Sequence, residues 1–440
     1  MSHKNKKSLE HQGEITRWRN AAEQGNSKAQ FILGVCCARG VNGVEKDPAQ
    51  AFARYKKAAE LGLPIAQFIL GLSYMAGIGV EKDERKAVLW YRKAAEQGYK
   101  DAQFELGYCF AFGLGVENNP TQAVAWYRKA ANQGHPEAQF WLGMHYLEGQ
   151  GITKDVKAAF LWFHKAAEQG DARAQYNVGI CYCSGEGVDQ DFSAAEEWLR
   201  RSADQGFAYA QYILGLYLLL SAKADEAEAV KMIRAAAEQG HLEAQFEIAA
   251  CYYDGRGIEK DDAEAFEWFR KAALQGDADS QFNVGVMLEH GIGVTKNISE
   301  ANRWYLKAAE QGHARAQHEL GMLCSEGRGI RKNKVKAVAW WRKAALQGYA
   351  EAQYELSECF FRGEGVKKNI AKAVEWCRKS ADQGYADALY SLGACYKAGC
   401  GVKKNKKKAI ELYRKAAAQG YVLAMHALEY LGETTPTRAK

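Results

Sequence analysis

The sequence predicts an all-α fold in which about eleven copies of a two-helix repeat follow one another along the chain. The first observation is a recurring A-A-E-Q-G segment, whose closing glycine returns after 36 residues in nine cases, 37 in the first and 34 in the sixth. Repeats of this length indicate stacked units that bury their apolar faces only against one another. The closing glycines are Gly25, Gly62, Gly98, Gly134, Gly170, Gly206, Gly240, Gly276, Gly312, Gly348, Gly384 and Gly420.

The second observation is helical spacing within each repeat. In the second repeat, Ala66, Leu70 and Tyr74 lie four residues apart, which places them on one face of a first helix. Gly77 opens a G-x-G loop that ends this helix, and Asp83 supplies the N-cap of a second helix. The cap position is also Asp or Asn in each of the remaining repeats: Asp47, Asn119, Asp155, Asp191, Asp225, Asp261, Asn297, Asn333, Asn369 and Asn405.

The third observation is a glycine inside nearly every first helix, where glycine costs about 1 kcal/mol relative to alanine. We expect this glycine, Gly71 in the second repeat, to let the two helices approach closely. The second helix is expected to bury Ala87, Ala94 and either Trp90 or Tyr91. A tryptophan eight residues before the closing glycine is expected to fill the space as a core ladder, although such a ladder could instead stack nucleic-acid bases. Its members are Trp90, Trp126, Trp162, Trp198, Trp268, Trp304, Trp340 and Trp376.

Composition and motifs exclude several classes of protein. With 48% apolar residues, 25% charged residues and 5 Pro, the chain is neither disordered nor collagen-like. S-x-x-K, K-T-G and H-E-x-x-H do not occur, and the G-x-G loops have no third glycine. The sequence therefore predicts a protein that is not an enzyme and has no cofactor or metal.

The repeat unit resembles a known family. Its segments A-x-A-Q-F-x-L-G, G-x-G-V and K-A-x-x-W-Y-R-K-A-A-E-Q-G are similar to those of Sel-1-like repeats, which are related to tetratricopeptide repeats, over roughly residues 14–430. The resemblance implies a right-handed α/α superhelical solenoid that acts as a non-catalytic scaffold or adaptor for protein complexes. Members act in signalling, in degradation complexes or in bacterial contact with host cells.

The cysteines separate this chain from a secreted, cysteine-rich branch of that family, which has regular disulfides and a link to penicillin binding. Equivalent positions on neighbouring helices lie about 8–10 Å apart, beyond the ~7 Å limit for a disulfide. We therefore expect free thiols in a reducing compartment and a cytoplasmic protein, with export by a signal-less route left open. Six of the 11 cysteines lie two residues after the Leu-Gly pair: Cys36, Cys109, Cys181, Cys251, Cys359 and Cys395.

The expected organisation is one array with half-repeat caps. Residues 1–13 are expected to be disordered, 14–430 to form the array, and 431–440 to be a flexible tail. Within the array, 14–25 and 421–430 are cap helices around repeats 26–420. The sixth repeat lacks its G-x-G loop, which predicts either a bend or special surface, or simple loop drift.

A row of first-helix residues off the core face is the expected partner-binding surface, and we call it the first-helix stripe. Because superhelical arrays bind along their concave face, which first helices line in this family, the stripe is expected to contact a protein or peptide. Trp141 is the expected anchor; the alternative is that these side chains only pack against adjacent first helices. The stripe runs from apolar to acidic: Ile69, Leu72, Glu105, Tyr108, Trp141, Met144, Ile213, Leu216, Glu247, Glu319 and Glu355.

The expected function is therefore a monomeric, non-catalytic protein-interaction scaffold without a membrane span. The alternative is binding to nucleic acid or an acidic surface through the basic C-terminal repeats. Residues 321–440 sum to a charge of +12, whereas the whole chain is +6, so the first 320 sum to −6. A third, weaker alternative is the β-lactamase-like activity of the cysteine-rich branch.

Overall fold

The computed structural model describes residues 14–42, 44–220 and 225–434, and these contain 24 α-helices and no β-strand. The chain divides into two compact units, Met1–Leu214 and Gly215–Lys440. The prediction of an all-α fold with eleven two-helix repeats is confirmed. The expected disordered segment 1–13 and residues 435–440 of the expected tail 431–440 lie outside the described residues.

All repeats use helices of the same length. Even-numbered helices α2 to α22 are the first helices of repeats 1 to 11, odd-numbered helices α3 to α23 are the second helices, and each has 13 residues. The bounds are α1 14–23, α2 Ser27–Arg39, α3 Pro48–Glu60, α4 Pro64–Ala76, α5 Glu84–Glu96, α6 Lys100–Phe112, α7 Pro120–Asn132, α8 Pro136–Glu148, α9 Val156–Glu168, α10 Ala172–Ser184, α11 Phe192–Asp204, α12 Ala208–Leu220, α13 Glu226–Glu238, α14 Leu242–Asp254, α15 Asp262–Leu274, α16 Ala278–His290, α17 Ile298–Glu310, α18 Ala314–Glu326, α19 Lys334–Leu346, α20 Ala350–Arg362, α21 Ile370–Asp382, α22 Ala386–Ala398, α23 Lys406–Ala418 and α24 Val422–Tyr430.

Capping residues fix these boundaries as the sequence predicted. The Asp83 side chain accepts a hydrogen bond from the Lys86 amide at the start of α5, and the ten equivalent Asp and Asn residues also accept amide hydrogen bonds. First helices other than α12 end at a left-handed glycine such as Gly77, with φ 71°. The helix boundaries of each repeat therefore depend on capping residues within a few positions of the helix ends.

The glycine inside the first helix faces a large side chain of the second helix, which is an aromatic ring in most repeats but Leu199 and Ile233 in repeats 5 and 6, and the tryptophan ladder does not provide it. A Cβ atom built on Gly107 would lie 2.8 Å from Cδ1 of Tyr127, which is fully buried. The preceding residue, Trp126, is only half-buried. The expectation that the tryptophans fill this space is wrong, because the seventh residue before the closing glycine faces the first helix and the eighth is turned about 100° away.

The tryptophans instead lie beneath cationic side chains of their own helices; Trp268 and Trp304 are buried, and the other six are half-buried. Lys129 Nζ lies 3.8 Å from the centre of the Trp126 ring, three residues earlier in the chain. The same i,i+3 pair is present in every repeat that has the tryptophan, at 3.4–4.5 Å. These cation–π pairs shield the indole rings from water.

A glutamine network joins consecutive repeats and was not predicted. Gln103 is buried in α6; its Nε2 donates to the Ala95 carbonyl at the end of α5, 3.0 Å away. Its Oε1 accepts from Nε2 of Gln133 at the end of α7, at 2.7 Å. One amide therefore ties together three successive helices, and the arrangement recurs in both units.

Single helices lie at both ends, and the sixth repeat is irregular. In α1, Ile15 and Ala22 pack against Ala29 and Leu33 of α2. In α24, Leu428 is buried against repeat 11. The altered loop of the sixth repeat falls on residues 221–224, which are not described, so a bend or special surface there stays a prediction, as does the organisation as one array.

Candidate functional site

The first-helix stripe is built from positions that flank the buried core of each first helix. In α6, Leu106 is fully buried, while Glu105 and Tyr108 on either side of it are half-buried. Because i and i+3 are neighbours on a helix, these two residues form one continuous strip. Every member is half-buried: Ile69, Leu72, Glu105, Tyr108, Trp141, Met144, Ile213, Leu216, Glu247, Glu319 and Glu355.

In the first unit, the stripe contains an aromatic cluster between α6 and α8. The rings of Tyr108 and Phe112 are 4.4 Å apart between centres, and Trp141 lies edge-on to them at 6.3 and 5.6 Å. Phe112 is 50% exposed, so the cluster opens to solvent. Trp141 also lies parallel to the buried Tyr127 ring at 6.5 Å, which fixes the plane of the indole. Adjacent first helices therefore pack through these rings and leave part of the cluster accessible, and partner binding there stays a prediction.

Glu105 lies at the edge of this cluster in a strongly acidic environment. Burial raises the pKa of its carboxyl, and the nearby carboxylates of Glu137 and Asp101 raise it further. His135 lies 3.6 Å from Asp101 but does not supply a positive charge, because burial lowers its pKa and its Nδ1 accepts the Ala138 amide hydrogen. The charge of Glu105 is therefore uncompensated by these neighbours.

Two buried hydroxyl groups of the second helices that pack against α6 make no hydrogen bond to described residues. They belong to Tyr91 and Tyr127, whose side chains are fully buried. Burial raises the pKa of both phenols, and the Glu105 carboxylate adds to the effect in each case. The sequence did not indicate these residues as part of a site, because only the packing of α5 and α7 against α6 brings them to Glu105.

In the second unit, the stripe is acidic but its carboxylates have cations nearby. Burial raises the pKa of Glu247 and Glu355, yet Arg256 opposes the shift of the first, and His318, Lys334 and Arg362 oppose that of the second. Glu319 lies 3.4 Å from His318. The acidic character that the sequence predicted for this part of the stripe is thus partly neutralised by the chain itself.

The basic residues of repeats 9 to 11 lie at loops and at the starts of second helices. Lys334 begins α19 and pairs with Glu364 at 2.9 Å, while Lys367 and Lys368 are exposed just before α21. Lys403 and Lys404 occupy the corresponding loop before α23. These side chains follow the loop edge of the repeats and do not lie on the first-helix stripe.

All eleven cysteines lie within the described residues and are free, as predicted. Nine of them are buried, Cys183 is half-buried and Cys400 is exposed. Burial raises the pKa of Cys109 and Cys359 to about 12, which keeps both as unreactive thiols.

The described residues contain no group of three or more His, Cys, Asp or Glu side chains arranged to hold a metal ion. Among those residues, we also found no helix with the length and apolar character needed to cross a bilayer.

Comparisons with known proteins agree with the repeat architecture. The Sel1 repeat model matches the chain eleven times, at residues 27–63, 64–99, 100–135, 136–171, 172–207, 208–241, 242–277, 278–313, 314–349, 350–385 and 386–421. A comparison with curated proteins found no match.

Two solved structures are similar over most of the chain. One is c5321, described as a protective antigen of uropathogenic Escherichia coli strains with an SLR fold; it is 36% identical, with 95% of this chain and 90% of that chain covered and a TM-score of 0.85. The other is a Sel1 repeat protein from Oxalobacter formigenes, which is 32% identical, with 71% and 93% covered and a TM-score of 0.53.

Proposed function

Because the chain belongs to the Sel1 repeat family, whose members are generally non-catalytic protein-interaction scaffolds, we propose that it is a scaffold that binds segments of partner proteins along the first-helix stripe. The observation that carries this proposal is the open aromatic cluster of Tyr108, Phe112 and Trp141. Tyrosine and tryptophan are enriched at interface hot spots because they bury a large area with few rotatable bonds. Here three such rings are held rigidly by adjacent first helices and remain partly exposed.

The neighbouring stripe positions extend this surface in the first unit. Leu72 packs at the edge of the core of repeats 2 and 3, and Met144 packs at the edge of the core of repeats 4 and 5. Apolar side chains of the stripe next to the aromatic cluster favour a partner segment that lies across several repeats. We propose that the protein works as a cytoplasmic, monomeric adaptor; its free thiols support the assignment to a reducing compartment.

Site-specific photo-crosslinking tests the location of the binding surface. A photoreactive phenylalanine analogue placed at Met144 lies on the stripe, whereas the same analogue at Leu89, which is 59% exposed on the outer face of α5, is the matched control. We expect a discrete adduct in the native cell from position 144 and none from position 89. Adducts of the same partner from Leu89 alone would place the binding surface on the second helices and refute the proposal.

A further inference from the structure

We infer that Glu105, Tyr108, Phe112 and Trp141, which we call the Glu105 pocket, receive the positively charged side chain of a partner segment, with arginine as the preferred residue. This inference rests on the proposed function and specifies the chemistry of one contact within it. It identifies the partner by an arginine or lysine side chain that projects between the acidic edge and the aromatic rings.

The charges around Glu105 favour the binding of a cation. Glu105, Glu247 and Glu355 occupy equivalent positions in repeats 3, 7 and 10, and all three carboxylates are partly withdrawn from water. Arg256 lies near Glu247, and Lys334 near Glu355, but the charged groups that act on Glu105 are the carboxylates of Glu137 and Asp101. A partly buried carboxylate among other carboxylates is stabilised when a cation binds. Within this chain, repeats 7 and 10 supply that cation themselves, and repeat 3 does not.

The aromatic rings beside Glu105 can also bind a cation. A cation over the face of an aromatic ring gains favourable electrostatic energy, and the gain increases when water is excluded. Each tryptophan eight residues before a closing glycine already has a Lys or Arg over its ring, as Lys129 has over Trp126 at 3.8 Å. Within the described part of the chain, no such cation lies over Trp141, Tyr108 or Phe112. These three rings are thus the aromatic surface beside Glu105 that an external cation can reach.

The second unit contains a similar combination of groups, completed by the chain's own arginine. Its carboxylate, Glu289, lies four residues after Gly285, whereas Glu105 lies two residues before Gly107. The Tyr305 hydroxyl, equivalent to that of Tyr91, donates to Glu289 Oε2 at 2.8 Å. Glu289 Oε1 accepts from Arg328 Nη1 at 2.7 Å, although Glu289 is buried. A tyrosine hydroxyl, a carboxylate and a guanidinium therefore satisfy one another in repeats 8 and 9. In repeats 2 to 4, the tyrosine hydroxyls and the carboxylate are present and the guanidinium is not.

A binding experiment with two peptide pools tests the inference. Both pools consist of acetylated, amidated nonapeptides with Ala, Leu, Phe and Ser mixed at eight positions; the central residue is arginine in one pool and its neutral isostere citrulline in the other. Retention on the immobilised full-length protein is expected to be about tenfold higher for the arginine pool, the size of one charge-assisted contact. Glu105→Gln is expected to abolish this preference. Glu355→Gln, at the equivalent position with its own cations, is expected to preserve it.

The outcomes separate the inference from the proposed function. Equal retention of both pools, lost in Trp141→Ala, would overturn the arginine contact and leave the first-helix stripe as a protein-binding surface. A preference for arginine that survives in Glu105→Gln would also overturn the inference, since the charge would then be recognised elsewhere. Retention of neither pool would refute the pocket as a site for this chemistry, whereas crosslinking from Leu89 alone would refute the proposed function itself.

Discussion

A Cβ atom built on Gly115 would lie 2.3 Å from the carbonyl oxygen of Glu84, so the G-x-G loop of repeat 3 rests directly on the first turn of α5 in repeat 2. The same contact recurs in both units, for instance between Gly151 and Pro120 and between Gly293 and Asp262. The second glycine of the loop therefore has two tasks: it adopts a left-handed conformation and it allows one repeat to lie against the backbone of the preceding one.

We expect Gly115→Ala to destabilise the protein more than Gly134→Ala. Both glycines have positive φ, 67° and 80°, so both variants incur conformational strain of about 1–2 kcal/mol. Only Gly115 has backbone within reach of the new methyl group, since nothing lies within 4 Å of a Cβ on Gly134. The difference between the two thermal unfolding midpoints measures the contact between repeats. Equal midpoints would contradict the close approach.

We expect Gln103→Leu to cost about 1–3 kcal/mol of unfolding free energy. The substitution removes two hydrogen bonds, from Gln103 to the Ala95 carbonyl and from the Gln133 amide to Gln103, each of which contributes about 0.5–1.5 kcal/mol. The Ala95 carbonyl and the Gln133 amide keep their other hydrogen bonds, to the amide and the carbonyl of Gly98. Urea denaturation followed by circular dichroism checks the value. Gln133→Leu, which removes the more exposed member of the pair, is the control and should cost less.

We expect Glu105→Gln to stabilise the protein at neutral pH. The pKa of Glu105 is raised in the folded protein, mainly by burial and then by Glu137 and Asp101. Its contribution to stability is therefore present below the unfolded-state pKa of about 4.3 and is lost as pH rises through the higher folded-state value. The variant should melt above the wild type at pH 7 and match it below about pH 4.

The matched control for this comparison is Glu411→Gln, because Glu411 is exposed and pairs with Lys415 on the surface of α23. It should change the melting temperature little at either pH. A Glu105→Gln variant that melts below the wild type at pH 7 would show that the carboxylate is compensated by a group that stabilises its charged form.

We expect the thiols to differ widely in reactivity. Cys400 is exposed and should be alkylated first in the native protein, whereas the pKa of Cys109 and Cys359 is raised to about 12 by burial and both should react only after unfolding. Mass spectrometry of freshly isolated, differentially alkylated protein measures this order. Ordered disulfides in that sample would refute the assignment to a reducing compartment.

The sequence was sufficient for features that depend on local chemistry. The repeat period, the caps such as Asp83 and the loop glycines could be predicted because each acts on backbone groups within a few residues. It failed to distinguish Trp126 from Tyr127, since adjacent residues differ by about 100° around a helix and only the packing of α6 on α7 decides which one is buried. A Lys or Arg three residues after each tryptophan of the ladder was a sign in the sequence that this position borders solvent.

The candidate site was predictable in position but not in chemistry. Helical spacing placed Glu105, Tyr108 and Trp141 on one strip, and the structure brings the two aromatic residues into contact. The acidic surroundings of Glu105 could not be read from the sequence, because Glu137 lies 32 residues further along the chain. The link between Gln103 and Gln133 was missed for the same reason: its partners meet only after the repeats stack.

The most direct test of the central claim is the affinity of Trp141→Ala for a partner captured by crosslinking at Met144. If the first-helix stripe is the binding surface, the variant should remain folded and lose about 2 kcal/mol or more of binding free energy, as is typical of a hot-spot tryptophan. Phe163→Ala, at a fully buried core position, is the control for folding and should cost about 3–5 kcal/mol of stability. A Trp141→Ala protein that is fully folded and binds with undiminished affinity would contradict the account.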